Sequence, residues 1–429
     1  MKFHSLSILS LALASTLAGA AGFSLYEASP SGVADTAGAT AKGGRAADMY
    51  YNPATMSALT GTVVQAGSFF IRPTMTVEAT NPYTGERYRH KPAAKIWPIP
   101  HAYIVHQAAR DWWVGLGVFS RTGLGADFKD DWLGRYNSTD AEILSANLNP
   151  NVAWKPADWL TLSVGVEAQY FVIDLRQSID AAGLAGLRNY NDPAPSPYDV
   201  VMKMHGEDWK FGWNAGLKID PTDRIHLGLA YHNAIQPEAH GEVKFDVPAP
   251  IHSAYPTFFP HSFITGHVGE PAYWMGSVAV DATDRLTVGV GATYTEWSSW
   301  DNLCIIMHDD PMMPGHDRLQ SKKEWNDVWR FTAGGSYRIS DAWTVRASFT
   351  YDDSPIQKGH EDYLIPADTR EIFAIGASYT TGPWTFDGMY FYEYIKDFRS
   401  SARIGEGIFD GSFRDGSAHS IAFSVSRQF

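Results

Sequence analysis

The sequence predicts an all-β fold: a fourteen-stranded antiparallel transmembrane β-barrel with a small N-terminal hatch, or plug, inside its lumen. Three observations predict it. Segments of about ten residues alternate apolar and polar side chains, as barrel strands do when one face meets lipid and the other the lumen. Short polar turns alternate with longer connections. Beyond residue 20 no stretch is apolar long enough for a spanning helix, so a membrane protein of this sequence must cross as a closed barrel. The 429-residue chain is 14% aromatic, with 15 Trp and 21 Tyr, which suits aromatic girdles at both bilayer interfaces.

The first element, residues 1–20, has a basic start at Lys2, an apolar run from Leu6 to Leu17 and the small triplet Ala18-Gly19-Ala20. This is the layout of a secretory signal peptide, and it predicts a mature chain that begins at Ala21. Residues 21–58 lack strand alternation and are rich in Gly, Ala and Ser. A fourteen-stranded barrel leaves an open lumen unless something fills it, so the simplest place for this segment is inside, as the hatch. Its Ala-rich Asp35 to Asp48 suits short helices, and Asn52-Pro53 should stop them.

Residues 59–429 form the predicted barrel. Its first convincing strand spans about Thr60 to Arg72. The alternation is clear in Leu160 to Tyr170, in Leu286 to Tyr294, and in Trp343 to Tyr351, where Trp343, Val345, Ala347, Phe349 and Tyr351 would face lipid. Six tight turns are predicted, at 107–111, 155–158, 220–223, 281–284, 339–342 and 380–383. Trp112, Trp159, Trp343 and Trp384 follow four of them and would form one aromatic belt. Seven longer connections fall near 73–93, 123–140, 178–208, 236–267, 300–324, 353–366 and 398–416. Barrels of this kind have short periplasmic turns and long external loops, so six of one and seven of the other require fourteen strands with both termini periplasmic. The last strand alternates Ile421, Phe423 and Val425 and closes at Phe429, an ending common in exported barrels of Gram-negative bacteria.

Ala21-Gly-Phe23-Ser-Leu-Tyr-Glu27, Ser31-Gly32 and Asn52-Pro53-Ala54 resemble the hatch of the FadL family of long-chain fatty acid transporters. Phe211-Gly-Trp-Asn-Ala-Gly216, Tyr294-Thr-Glu-Trp-Ser298, Asp352-Asp-Ser-Pro355 and Ile365-Pro366 extend the likeness over the mature chain in the same order. The resemblance implies a hatch-plugged barrel in which an external groove captures an apolar ligand and passes it to a deeper pocket. It further implies sideways release through a kink in the third strand. Here that strand is Trp112 to Phe119, with the kink expected at Ser120 to Gly125, where Gly123 and Gly125 permit a bend. An ordinary strand end is the alternative.

A fatty acid offers one carboxylate and a long tail, so its site should be an apolar tunnel with one or two cations at a defined depth. Each buried methylene contributes about 0.8 kcal/mol, so the tail supplies most of the affinity. The fourth external loop carries Tyr255, Phe258, Phe259, Phe263 and Ile264, an aromatic cluster of the kind that marks binding surfaces. With Leu184, Leu187 and Tyr190 of the third loop it resembles the family's capture groove; the alternative is two loops that pack on each other as a lid. Arg176, near the external end of the fifth strand, is similar in position to an arginine the family places by its pocket. Lys322, Lys323 and Arg330 are the second choice for the cation. Phe23, Asn52, Pro53 and Ala54 are the expected gate.

The function expected is passive, ligand-gated transport of long-chain fatty acids or similar hydrophobic molecules across the outer membrane of a Gram-negative cell, by a monomer among outer-membrane lipid and lipopolysaccharide. Aromatic or aliphatic hydrocarbons are the alternative cargo; a general porin and a barrel enzyme are alternatives of other classes. The hatch argues against an open porin. A formal net charge of −13 argues against nucleic acid. Cys304, the only cysteine, excludes an intramolecular disulfide and a CxxC site. No HExxH, GxSxG or phosphate-loop motif occurs, so no metal, no cofactor and no catalytic residue is expected.

Overall fold

The computed structural model describes residues 22–308 and 318–429, and within them one antiparallel sheet closes on itself. The predicted leader, residues 1–20, and Ala21 lie outside the described residues. Among the described residues fourteen strands form the wall. The first six are Thr62–Thr80, Trp97–Ala109, Trp112–Phe119 resumed at Gly123–Asp127, Asp140–Ala157, Leu160–Asp180 and Asp199–Thr222. Each of the next four is interrupted once: Ile225–His232 with Glu238–Asp246, Ser262–His267 with Tyr273–Asp281, Leu286–Thr295 with Asn302–Met307, and Arg318–Lys322 with Val328–Arg338. The last four are Trp343–Asp352, Arg370–Thr381, Trp384–Ile395 and Gly411–Gln428. First and fourteenth strands pair from Val63↔Gln428 to Ala79↔Gly411, which leaves no free edge to aggregate.

The residues explain the wall. Strands rise with period two, and on the eleventh strand Trp343, Phe349 and Tyr351 are exposed to the outside while Thr350 is buried within. Trp112, Trp159, Trp343 and Trp384 are all exposed at the short-turn end, where they form the expected belt. The external ends differ from expectation. The first strand runs on to Thr80, the sixth starts at Asp199, the seventh reaches Asp246 and the eighth starts at Ser262, all inside segments expected to be loops. Outward positions there carry Glu78, Lys203, His205 and Asp246. These strands stand above the hydrocarbon, so apolar alternation fades while the hydrogen-bond ladder continues.

Residues 22–58 pack against the lumen side of this wall as three short helices, Pro30–Val33, Thr36–Ala41 and Asp48–Tyr51, and a 3-10 turn, Pro53–Ala58. Ser29 caps the first helix through Gly32 N–H and Asp35 caps the second through Gly38 N–H. Asn52 ends the third, as its place before proline dictates. Contacts from this segment reach strands on every side: Tyr26 bonds Thr295 (3.0 Å), Ser348 donates to the Val33 carbonyl (2.8 Å), Tyr103 donates to Ala28 (3.1 Å) and Trp113 to Leu59 (2.8 Å).

Candidate functional site

The site is built around the break in the third strand. Its ladder with the second strand ends at Ala102↔Val118, while Trp97 to His101 of the second strand pair with the first strand. After the break, Gly123 to Asp127 pair with the fourth strand through Gly123↔Leu144 to Asp127↔Asp140. The wall therefore has no ladder pairing between residues 97–101 and 123–127. The break itself is Ser120 to Thr122, narrower than the expected Ser120 to Gly125, and Gly123 and Gly125 lie in the resumed strand rather than in the bend. Neither glycine adopts a positive φ, so dihedral freedom is not their role. At Gly123 the reason is close approach: a Cβ there would sit 2.8 Å from Leu25 Cδ1.

The N-terminal residues fill this break. Leu25 N–H donates to the Arg121 carbonyl (2.9 Å), Gly123 N–H donates to the Phe23 carbonyl (2.9 Å), and Ser24 bridges Thr122. Backbone groups orphaned by the broken ladder thus find partners in the hatch. Ser145 completes the satisfaction by accepting from Arg121 N–H (3.0 Å) and Thr122 N–H (2.9 Å).

A polar lock lies behind the break. Arg121 points into the lumen and donates to Glu167 (3.2 Å) and to the carbonyls of Asn233 (2.8 Å) and Pro271 (3.0 Å), which flank the interruptions of the seventh and eighth strands. Its guanidinium lies 4.9 Å from the Tyr273 ring. Glu167 also bonds His232 (2.6 Å), and His232 stacks on Tyr273 at 4.6 Å. Thr122 and Gln169 both donate to Glu270. The hatch touches this network through Tyr26, 5.9 Å from Tyr273, and Tyr50, 6.1 Å from His232. Asn52 Nδ2 donates to Thr40 O (2.9 Å) and Leu217 O (3.0 Å), while its Oδ1 accepts from Ala54 N–H. Asn52 thereby pins the hatch to the sixth strand, with Ala54 N–H holding its side chain in place.

On the external side of the break, Phe23 sits in a cage of Trp297 (4.9 Å), Trp300 (5.0 Å) and Trp325 (6.2 Å). It belongs to one apolar core that includes Leu124, Leu175, Met204 and Ile264. A cavity of about 230 Å³ opens in this region, lined by Leu175, Leu184, Met204, Phe259, Leu303 and Ile305. Arg176 and Arg318 stand on its wall. A smaller groove of about 70 Å³ shares Leu184 and Phe259 with it and adds Ile251, Tyr255 and Phe258, the last two stacked at 5.2 Å. Phe259 holds φ 61°, a strained conformation for a bulky residue that aims its ring into both spaces.

The structure therefore brings Leu184, Tyr190, Tyr255, Phe258, Phe259 and Arg176 together. It does not gather the rest. Leu187 is 73% exposed and Phe263 61% exposed, outside both spaces. Ile264 is buried in the apolar core, because successive strand residues point to opposite faces. Arg176 is half-exposed and paired with Asp130 at 2.9 Å. Lys322 is exposed beside Glu324, whereas Lys323 is buried against Asp362 and Arg330 against Asp352. Arg121, Glu167, Glu270 and the tryptophan cage were missed. Glu167 left one signal, a carboxylate at an inward position of an alternating strand; Pro237 and Pro271 hinted at the interruptions that receive Arg121.

A closed barrel stoppered by its own N-terminus, with an apolar cavity above a gap in the wall, defines a membrane transport protein. The chain belongs to the family described as outer membrane protein transport protein (OMPP1/FadL/TodX), whose profile matches residues 11–429. It is an outer-membrane protein and not an enzyme. It is similar to the 47 kDa outer membrane protein of Pasteurella multocida, 29% identical over 87% of each chain. It is also similar to the long-chain fatty acid transport protein of Salmonella typhi, 24% identical over 86% of each. Among solved structures, a Pseudomonas aeruginosa FadL homologue superposes with a TM-score of 0.82 at 21% identity, over 95% of this chain and 100% of that one. The Pseudomonas putida toluene transporter TodX gives 0.69 at 14% identity, over 90% and 94%.

Proposed function

We propose that this protein takes up long-chain fatty acids or similar hydrophobic molecules passively, with residues 21–58 as the gate, residues 59–429 as the conduit and residues 1–20 removed on export. One observation carries the reading: Phe23 to Leu25 fill the break in the third strand, and Phe23 belongs to the same apolar core as Leu175, Met204 and Phe259, which line the cavity. Ligand enters the groove of Tyr255 and Phe258, moves past Phe259 into the cavity, and displaces Phe23 from its cage. Loss of Phe23 frees the backbone bonds at Arg121 and Gly123, and the cargo leaves sideways between residues 97–101 and 123–127.

Arg176, held by Asp130 and half-exposed on the cavity wall, and Arg318 beside it favour a carboxylate headgroup with an apolar tail. The tryptophan cage favours the second cargo, an aromatic hydrocarbon, because Lys323 beside it is neutralised by Asp362. Uptake of labelled oleate, toluene and a small sugar by cells with this as their one such channel separates them. Oleate above both others supports the proposal; toluene above oleate favours the second cargo, and sugar uptake contradicts both.

A further inference from the structure

We propose that the external rim of the thirteenth, fourteenth and first strands is a binding site for the phosphorylated glucosamine headgroup of outer-leaflet lipopolysaccharide. The basic residues of this rim stand apart from the transport route. Arg72 lies between buried Ile71 and Pro73, and Arg399 between buried Phe398 and Ser400, so both point outward. Arg89 and Arg414 flank Glu78 at 3.5 Å and 3.7 Å, and are 63% and 55% exposed. Two short added strands, Phe398–Ser400 beside the fourteenth strand and Arg87–His90 beside the first, carry this register: Arg399 faces Ser412, Ser412 faces Glu78, and Glu78 faces Arg89.

With exposed Arg87 and Lys396, six cations stand among five carboxylates, Glu78, Glu86, Asp397, Asp410 and Asp415, on a chain whose formal net charge is −13. The patch keeps a net positive charge of one on an otherwise acidic chain; Glu371 on the twelfth strand marks its edge. Elsewhere on the rim several cations are matched one to one. Lys203 pairs with Asp246, Lys244 with Glu242, Lys210 with Asp208 and Arg176 with Asp130.

The height is right for a headgroup. Outward Trp384 and Tyr394 on the thirteenth strand lie about 25 Å apart along the axis at roughly 3.3 Å per residue and a tilt near 40°. Lys396 and Arg399 follow Tyr394 directly. Below the arginines the same strands present Ile421, Phe423 and Phe70 to acyl chains. His419, bonded to Tyr390 at 2.7 Å, faces Arg72 in register and adds a polar step at that boundary. Guanidinium groups match phosphate oxygens bidentately, and three to four of them within reach of one another suit two phosphates on one saccharide.

The test is binding of fluorescent bisphosphorylated lipid A to the full barrel in detergent. Dephosphorylated lipid A and phosphatidylglycerol serve as competitors, and a heat-shifted gel band serves as the folding check. Wild type should prefer bisphosphorylated over dephosphorylated lipid A by at least about tenfold, and R89E/R399E/R414E should lose at least about tenfold. R89K/R399K/R414K, which keeps the charge and loses the bidentate geometry, should fall between wild type and the glutamate variant, and K203E/K244E on the opposite rim should change nothing. Should the glutamate variant not fold, R89Q/R399Q takes its place with a smaller loss expected. Equal affinity for the dephosphorylated lipid, undiminished binding by the arginine variants, or equal competition by phosphatidylglycerol would overturn the proposal.

Discussion

Arg121 and Glu167 meet at 3.2 Å with both side chains almost wholly removed from solvent, and this pair joins the break in the third strand to the fifth strand, two strands along the wall. Breaking a buried pair by removing one partner leaves an uncompensated charge, which costs about 3–5 kcal/mol. Arg121→Met should therefore lower the unfolding midpoint of the refolded barrel markedly. Arg121→Met with Glu167→Gln should recover part of the loss, measured by thermal denaturation in detergent. A double variant as unstable as the single would show that the pair is not the stabilising unit.

Seating of the hatch depends on Gly216. A Cβ there would fall 2.2 Å from Asn52 Oδ1 and 3.1 Å from Ala54 N. Gly216→Ala, like Asn52→Ala or replacement of Pro53, should unseat the hatch while the barrel still inserts. Growth on oleate of a transporter-deleted strain carrying these variants reads the effect; normal growth would remove Asn52 and Pro53 from the gate.

Capture is tested at the loops. Tyr255→Ser with Phe258→Ser removes two stacked rings from the groove, and burying one such side chain is worth about 1.5–3 kcal/mol. The oleate concentration for half-maximal uptake should rise roughly tenfold, with the maximal rate little changed. Leu187→Ser, outside the groove, should leave both alone.

The hatch also carries a pH dependence. Burial pushes the Asp48 carboxyl up to about 7, partly opposed by its bond from Arg45 N–H and by the charges of Arg45 and Arg346; Asp35 pushes the same way as burial. Asp35 is itself raised by burial. The docked hatch thus holds a proton that the undocked segment releases at ordinary carboxylate pH. Docking is favoured below about 4 and loses stability as pH rises through 7. Hydrogen exchange of residues 36–51, corrected for intrinsic rates, should show stronger protection at pH 5 than at pH 8, and Asp48→Asn should flatten the difference. Protection independent of pH in the parent protein would contradict this.

The fold was legible because lipid imposes period two on each spanning strand and because the tight turns are short and polar. Trp112, Trp159, Trp343 and Trp384 stand where that logic puts them. The external strand ends were not legible, since Glu78, Lys203 and Asp246 face water and look like loop residues. The meeting of Leu184 with Tyr255 and Phe258 was legible as loop aromatics without a purpose in water. The lock was not: Arg121, Glu167 and His232 come from three strands, and nothing in local spacing records that closure brings them together. Phe263 and Ile264 show the opposite failure, adjacent residues read as one site although a strand turns them to opposite faces.

The central claim is that Phe23 to Leu25 must leave the third-strand break for cargo to pass. Ser24 and Thr122 are paired across it, so a Ser24→Cys, Thr122→Cys variant in a Cys304→Ser background allows the two to be crosslinked. Oxidised cells should take up labelled oleate at background rate and regain uptake on reduction. Undiminished uptake through barrels shown to be fully crosslinked would contradict the account.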